Sequence, residues 1–176
     1  MAPSVTAEMG KTFADARAEV ARMIEMVECA CAIPTTMQGR IIEDVARGVD
    51  AETVRQPVGV CAAIAPFNFP AALAIAPASA ALVAGNTVVL KPSLAGTLTG
   101  LKLVALLHEA GVPVDALQVV TGGDDVGRAL VAHPGLDGLT FTGSYEAGMA
   151  IGRAFSGPYP RPFICEMGGK NPAIVM

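Results

Sequence analysis

Three polar residues with catalytic potential follow apolar segments that have the length of a buried strand. Asn68 and Lys91 each stand beside prolines after such a segment, and Glu166 follows a third segment just before Gly168. An amide can donate to a developing oxyanion, an ammonium can hold a ribose or phosphate, and a carboxylate in a partly dry cleft can act as a base on water. The structural alternatives are that Asn68 only ties the turn between its prolines, that Lys91 is a solvated strand-end lysine, and that Glu166 pairs with Lys170 at the surface.

A fourth segment suits a phosphate group. Phe141-Thr-Gly-Ser ends an apolar run, and Gly148 lies in the helical pattern that follows. Backbone amides at a helix N-terminus favour an anion. The segment is not G-x-G-x-x-G, and a glycine at such a turn often serves only as a tight bend.

The elements that carry these residues alternate between strand and helix with short connections. Strands are predicted at 59–65, 87–90, 117–120, 139–141, 162–165 and 173–176, and helices at 70–84, 98–110, 125–132 and 145–155. This alternation is typical of an α/β fold with a doubly wound, mostly parallel, Rossmann-like sheet. Ligands bind beyond the carboxyl ends of such strands, where Asn68 and Lys91 fall.

Two further elements precede the sheet. Thr12 and Asp15 have the spacing of a capping box, and apolar residues then repeat at helical spacing to a stop before Pro34. Residues 39–56 interleave apolar and charged side chains around a turn signal and predict a solvent-facing hairpin that packs on something else. The chain ends inside the apolar run 173–176, so we expect a piece of a longer protein.

Composition narrows the functional class. Net charge is −4 and the basic residues are scattered, so a nucleic-acid partner is not indicated. The uncharged stretch 56–90 is interrupted by prolines and asparagines, which argues against a membrane span, and the N-terminus lacks a signal peptide, which favours the cytoplasm. The cysteines are expected to be buried, reduced thiols rather than metal ligands, and no role is assigned to His108 or His133.

Four motifs, in this order and at this spacing, resemble the aldehyde dehydrogenase superfamily. They are Pro66-Phe-Asn-Phe-Pro, Ala84-Gly-Asn-Thr-Val-Val-Leu-Lys-Pro-Ser, Phe141-Thr-Gly-Ser and Glu166-Met-Gly-Gly-Lys-Asn-Pro. The resemblance runs from about Glu8 to the last residue. Residues 131–144 and 166–172 look most like 1-pyrroline-5-carboxylate dehydrogenases, and the segment 10–62 looks more like methylmalonate-semialdehyde dehydrogenases. The latter, acylating enzymes lack the glutamate kept here at Glu166, which favours the hydrolytic branch.

The resemblance implies oxidation of an aldehyde, a small-molecule substrate, to the acid with NAD or NADP, through a cysteine thioester. Asn68 would stabilise the oxyanion, Glu166 would activate water, and Lys91 would hold the adenosine ribose. Residues implied to line the cofactor are Ile64, Ala65, Pro66, Phe67, Lys91, Ser93, Gly123, Gly127, Phe141, Thr142, Gly143, Ser144, Gly148, Met167 and Gly168.

The same resemblance divides the chain into three parts. Residues 1–38 would be an N-terminal helical segment and 39–57 an oligomerisation ribbon of a homo-oligomer. Residues 58–176 would be an NAD(P)-binding α/β domain, truncated before the catalytic domain.

Two departures from the family pattern matter. Leu94 stands where NAD enzymes often carry a ribose-binding glutamate, which leaves NAD against NADP open. The nucleophilic cysteine of the family lies downstream of the Gly-Gly-Lys motif, and none of the cysteines here does. Cys165 should point to the opposite strand face from Glu166. Two hypotheses follow: a cofactor-binding portion that cannot turn over aldehyde alone, or a non-catalytic nucleotide-binding or subunit-interaction module.

Overall fold

The computed structural model describes residues 1–175. It begins with three helices, α1 (Ala2–Met9), α2 (Phe13–Cys31) and α3 (Ile33–Thr36). The predicted capping of α2 is confirmed, because the Asp15 amide donates to Thr12 Oγ1 at 3.2 Å. Helix α1 was not predicted from the sequence, since its 8 residues are too few to show helical periodicity.

The predicted hairpin is present as β1 (Arg40–Ala46) and β2 (Val49–Thr53), which pair antiparallel. Gly48 makes the turn with φ +74°, a conformation that favours glycine. Every residue of both strands is exposed. The ribbon is therefore not covered by the rest of the described chain.

The main sheet has five strands, and all its neighbouring pairs are parallel. Its strands are β3 (Val60–Ile64), β4 (Thr87–Lys91), β5 (Leu117–Val119), β6 (Gly138–Thr142) and β7 (Phe163–Glu166), in the order β5-β4-β3-β6-β7. The intervening helices are α4 (Ala72–Val83), α5 (Thr97–Glu109), α6 (Asp124–Ala132) and α7 (Tyr145–Phe155), with a 3-10 turn at Leu94–Gly96. The chain moves outward from β3 to β5 and then crosses back to β6. This reversal confirms the doubly wound α/β fold.

The predicted strand at 173–176 is wrong for residues 173–175, which have no regular secondary structure, and Met176 lies outside the described residues. Ile174 and Val175 are 87% and 96% exposed. Apolar β-branched residues favour a strand, but a strand also requires a partner, and this segment forms no ladder.

The core lies on both faces of the sheet. One cluster joins the β3, β4 and β5 strands to α4 and α5 and includes Ile75, Leu90 and Leu103. A second joins β3 and β6 to α6 and α7 through Leu139 and Phe155. A third cluster, formed by Val5, Ala16 and Ala71, packs α1 and α2 against the start of α4.

The expectation of buried cysteines is wrong for Cys29 and Cys31, which are exposed at the end of α2, whereas Cys61 and Cys165 are partly buried. Their apolar neighbours suggested burial, but α2 packs on the core along only one face. All four thiols are free. Within residues 1–175 no helix combines the length and apolar character needed to cross a bilayer.

Candidate functional site

Three predicted site residues form one row across the carboxyl edge of the sheet. Ile64 at the end of β3 pairs in register with Lys91 of β4 on one side and with Phe141 of β6 on the other. Residues paired in this way point to the same face of a sheet. That face is the one covered by α6 and α7: Lys91 lies against Gly127 of α6, and Phe141 lies against Gly148 of α7.

Lys91 is buried at the end of β4, with 6% of its surface exposed. Its Nζ donates a hydrogen bond to the carbonyl oxygen of Gly122 at 2.9 Å. An ammonium has three N–H donors, and this is its single hydrogen bond to residues 1–175. A buried donor without a partner is costly. The geometry therefore excludes a solvated strand-end lysine and leaves donor capacity for a bound ligand.

The turn between β6 and α7 is closed around aromatic and thioether side chains. A Cβ on Gly143 would lie 2.5 Å from the Phe141 ring, and one on Gly148 would overlap the Met167 sulfur. Ser144 caps α7 by accepting from the Ala147 amide at 3.2 Å. The other amides of the first helical turn have no partner within the helix. This terminus can accept an anionic group beside the Lys91 row.

Asn68 lies in the loop between β3 and α4. Its backbone carbonyl accepts from Lys11 Nζ at 2.8 Å. The residue is exposed, and its side-chain amide makes no hydrogen bond within residues 1–175. The amide is thus free for a ligand and does not tie the turn. At the start of the same loop, the Ala65 amide donates to the Lys91 carbonyl at 3.0 Å, which joins this loop to β4.

Glu166 points to the other face of the sheet. In the β6–β7 pairing, Glu166 lies opposite Thr142 and Cys165 lies opposite Phe141. The prediction that Cys165 and Glu166 point to opposite faces of the strand is therefore confirmed. Glu166 lines an apolar cavity of about 430 Å³ together with Ile164. Asn68 does not line this cavity. The ion pairs formed within residues 1–175 are Lys11–Glu19 and Arg22–Glu25, so Glu166 is not paired with Lys170.

Cys61 lines the same cavity as Glu166. Burial, and then the nearby Asp137 carboxylate, raise the pKa of the Cys61 thiol. A raised pKa disfavours the thiolate, which is the nucleophilic form. Its surroundings are therefore the reverse of those that activate a cysteine. Residues 1–175 contain no cluster of three or more His, Cys, Asp or Glu suited to a metal ion.

The remaining predicted cofactor residues lie around the same edge. The loop residue Pro66 is partly buried and Phe67 is exposed; Gly123 is the N-cap of α6; Gly168 is exposed with open space around it. Ser93 Oγ is buried and has no hydrogen-bond partner within residues 1–175. Leu94 is 66% exposed. These assignments stay predictions.

Sequence reasoning missed three charged residues of the N-terminal segment, Glu8, Lys11 and Glu19. Glu19 is 2% exposed and accepts from the amides of Ala71 and Ala72, and its other oxygen pairs with Lys11. Glu8 caps α5 by accepting from the amides of Leu98 and Thr99. A sequence signal existed for Glu19, which falls three residues after Ala16 and four before Met23 on the apolar stripe of α2.

The family model described as the aldehyde dehydrogenase family matches residues 1–176. The N-succinylglutamate 5-semialdehyde dehydrogenase of Sphingopyxis alaskensis is 43% identical over 171 residues, which are 97% of this chain and 35% of that protein. The chain thus spans about a third of the length of this curated relative.

Solved structures give the same result. The NADP-dependent glyceraldehyde-3-phosphate dehydrogenase of Bacillus halodurans C-125, complexed with NADP, superposes with a TM-score of 0.91 at 39% identity, over 99% of this chain and 37% of that one. An NAD-dependent aldehyde dehydrogenase from Sinorhizobium meliloti gives a TM-score of 0.92 at 33% identity, over 97% and 34%. Motifs, fold and comparisons agree: this chain belongs to the aldehyde dehydrogenase family.

Proposed function

We propose that this chain provides the NAD(P)-binding site of an enzyme that oxidises an aldehyde to a carboxylic acid. The observation that carries the proposal is the buried Lys91 ammonium, which has one protein hydrogen bond and faces the α6 and α7 side of the sheet. A semialdehyde is the favoured substrate class, because the Sphingopyxis relative is named for one.

The residues of the carboxyl edge fit a dinucleotide. Lys91 supplies donors for the ribose, and the N-terminus of α7 after Gly143 and Ser144 supplies backbone amides for the pyrophosphate. Helix α6 passes close to Lys91, since a Cβ placed on Gly127 would lie in ordinary contact, 3.5 Å, with the Lys91 Cε. When bound, the cofactor accepts a hydride from the substrate. With its exposed Leu94, the site offers no carboxylate at that position to select NAD over NADP.

Asn68 and Glu166 take the catalytic roles that the chain supplies. The unpaired amide of Asn68 donates to the oxyanion that forms when a thiolate adds to the aldehyde carbonyl. Glu166 takes a proton from the water that releases the acid from the thioester. None of the four cysteines is assigned the nucleophile, since all precede the Gly168-Gly-Lys motif. In addition, Cys165 faces away from Glu166 and the pKa of Cys61 is raised.

The exposed ribbon formed by β1 and β2 is proposed as an oligomerisation arm. It presents a set of large apolar side chains to solvent, Ile41, Ile42, Val45 and Val49, each at least 50% exposed. Strands with exposed apolar side chains favour association with another protein surface. Under this division, residues 1–38 and 58–175 form the remainder of the proposed cofactor-binding unit.

Calorimetric titration of NAD and NADP into the purified chain tests the proposal. Saturable binding of one molecule per chain is expected, without NADH or NADPH formation when a semialdehyde is added. Absence of binding by either cofactor would overturn the proposed site. Aldehyde-dependent reduction that survives mutation of all four cysteines would contradict the proposed division of roles.

A further inference from the structure

Two charged residues of the N-terminal segment hold the loop that carries Asn68. Lys11 Nζ donates to the Asn68 carbonyl at 2.8 Å and to Glu19 Oε2 at 2.6 Å, and it lies 4.0 Å from the centre of the Phe69 ring. Glu19 Oε1 accepts from the Ala71 amide at 2.8 Å and from the Ala72 amide at 3.2 Å. Lys11 therefore contacts the backbone before Pro70, and Glu19 contacts the backbone after it.

The ion pair is withdrawn from solvent. The side chains of Lys11 and Glu19 are 11% and 0% exposed. The Lys11 ammonium contacts a carboxylate, a carbonyl and an aromatic face. A buried pair with satisfied partners is rigid, and loss of either member leaves an uncompensated charge.

The pair fixes the main chain of Asn68 but leaves the side chain free. The carbonyl of Asn68 is bound to Lys11, whereas its amide group has no hydrogen bond within residues 1–175. A loop residue that must stabilise charge in a transition state needs a fixed backbone, because a misplacement of about 1 Å can cost on the order of a hundredfold in rate. We propose that Lys11 and Glu19 are positioning residues that orient the Asn68 amide. This inference rests on the role of Asn68 in the proposed function.

Glu8 provides a matched control for Glu19. It also caps a helix from the N-terminal segment, accepting from the amides of Leu98 and Thr99 at 2.6 and 2.8 Å and from Thr99 Oγ1 at 2.7 Å. Its partners lie at the start of α5, and none of them belongs to the Asn68 loop. Glu19→Gln and Glu8→Gln thus make the same chemical change at two helix caps.

The test uses the chain labelled with ¹⁵N, without cofactor or substrate. The sequence holds three asparagines, so the backbone amide signals of Asn86 and Asn171 are internal references for that of Asn68. In Lys11→Met and Glu19→Gln, we expect the backbone order parameter of Asn68 to fall into the flexible range, because the contact from Lys11 is made to its carbonyl oxygen. Exchange of the Ala71 amide should accelerate about tenfold in Glu19→Gln, because the neutral amide oxygen is a weaker acceptor than the carboxylate that it replaces.

In Glu8→Gln the Leu98 and Thr99 amides should exchange faster while the Asn68 signals stay unchanged. An Asn68 order parameter and shift unaltered in folded Glu19→Gln would overturn the proposal, and so would an equal change in Glu8→Gln. Glu19→Gln preserves side-chain size and carries the test if Lys11→Met does not fold. Cofactor titration of the wild-type chain is independent of these signals. A failed NAD(P) site and a failed positioning role are therefore distinguishable.

Discussion

Lys91 Nζ and the carbonyl oxygen of Gly122 lie 2.9 Å apart, which joins the end of β4 to the segment that enters α6. Gly122 lies between β5 and α6, where the chain crosses from the β5 edge of the sheet back to β6. The bond holds the ammonium beneath the edge where the turn into α7, the proposed phosphate site, also begins. The proposed binding of a dinucleotide at this edge rests on that placement.

Replacing Lys91 by Met should weaken NAD(P) binding. Loss of a charge-assisted contact of about 1.5–3 kcal/mol corresponds to roughly a 10- to 100-fold rise in Kd. Calorimetry on the variant provides the measurement. Lys102→Met is the control, because Lys102 donates to Ser4 Oγ at 2.6 Å away from this edge and should leave the Kd unchanged.

Gly148→Ala should destabilise the fold and weaken cofactor binding together. The added methyl group overlaps the Met167 sulfur and lies 3.3 Å from the Phe141 ring, so both must move. Overpacking of this kind costs about 1–3 kcal/mol in the free energy of unfolding, measured with urea. Gly157→Ala meets no atom within 4 Å. Equal losses in the two variants would contradict the close packing of the α7 turn.

The cysteines should differ in their rates of alkylation. Cys29 and Cys31 are exposed and should react first. Burial and Asp137 raise the pKa of Cys61, so at any given pH its thiolate fraction is lower and its rate should rise only at higher pH. Mass spectrometry of the modified chain resolves the sites. Asp137→Asn should shift the Cys61 profile partly toward lower pH, and a Cys61 that reacts as fast as Cys29 would contradict the assigned environment.

A charge on the ribbon should affect association and not folding. Ile42 is 57% exposed, so Ile42→Glu should change the free energy of unfolding by no more than about 0.5 kcal/mol. Sedimentation velocity should show less self-association than for the wild-type chain. An oligomer that persists unchanged in the variant would refute the proposed role of the arm.

Much of the sheet could be predicted from the sequence because short apolar runs end at glycine and proline. The runs that end at Lys91 and just before Glu166 became β4 and β7, and the alternation with helices predicted a doubly wound, mostly parallel sheet, although not its strand order. The apolar run at 173–176 followed the same pattern and failed for residues 173–175, since pairing depends on a neighbouring strand that local sequence does not specify.

The charged contacts at helix ends could not be predicted. Glu19 and Ala71 are far apart along the chain, and their hydrogen bond depends on how α2 packs against α4. The apolar neighbours of Cys29 likewise predicted burial, but Cys29 is exposed, because the face of a helix that packs on the core decides which of its residues are buried. Local patterns therefore located the candidate site, whereas the residues that hold its loop emerged only from tertiary packing.

Mapping the cofactor site by NMR tests the central claim most directly. Titration of NADP or NAD into the ¹⁵N-labelled chain should shift the amide signals of Lys91, of residues 122–127 and of residues 141–148, and leave the ribbon at 40–53 unchanged. Shifts confined to the cavity lined by Cys61 and Ile164 on the opposite face, or no shifts at saturating cofactor, would contradict the account.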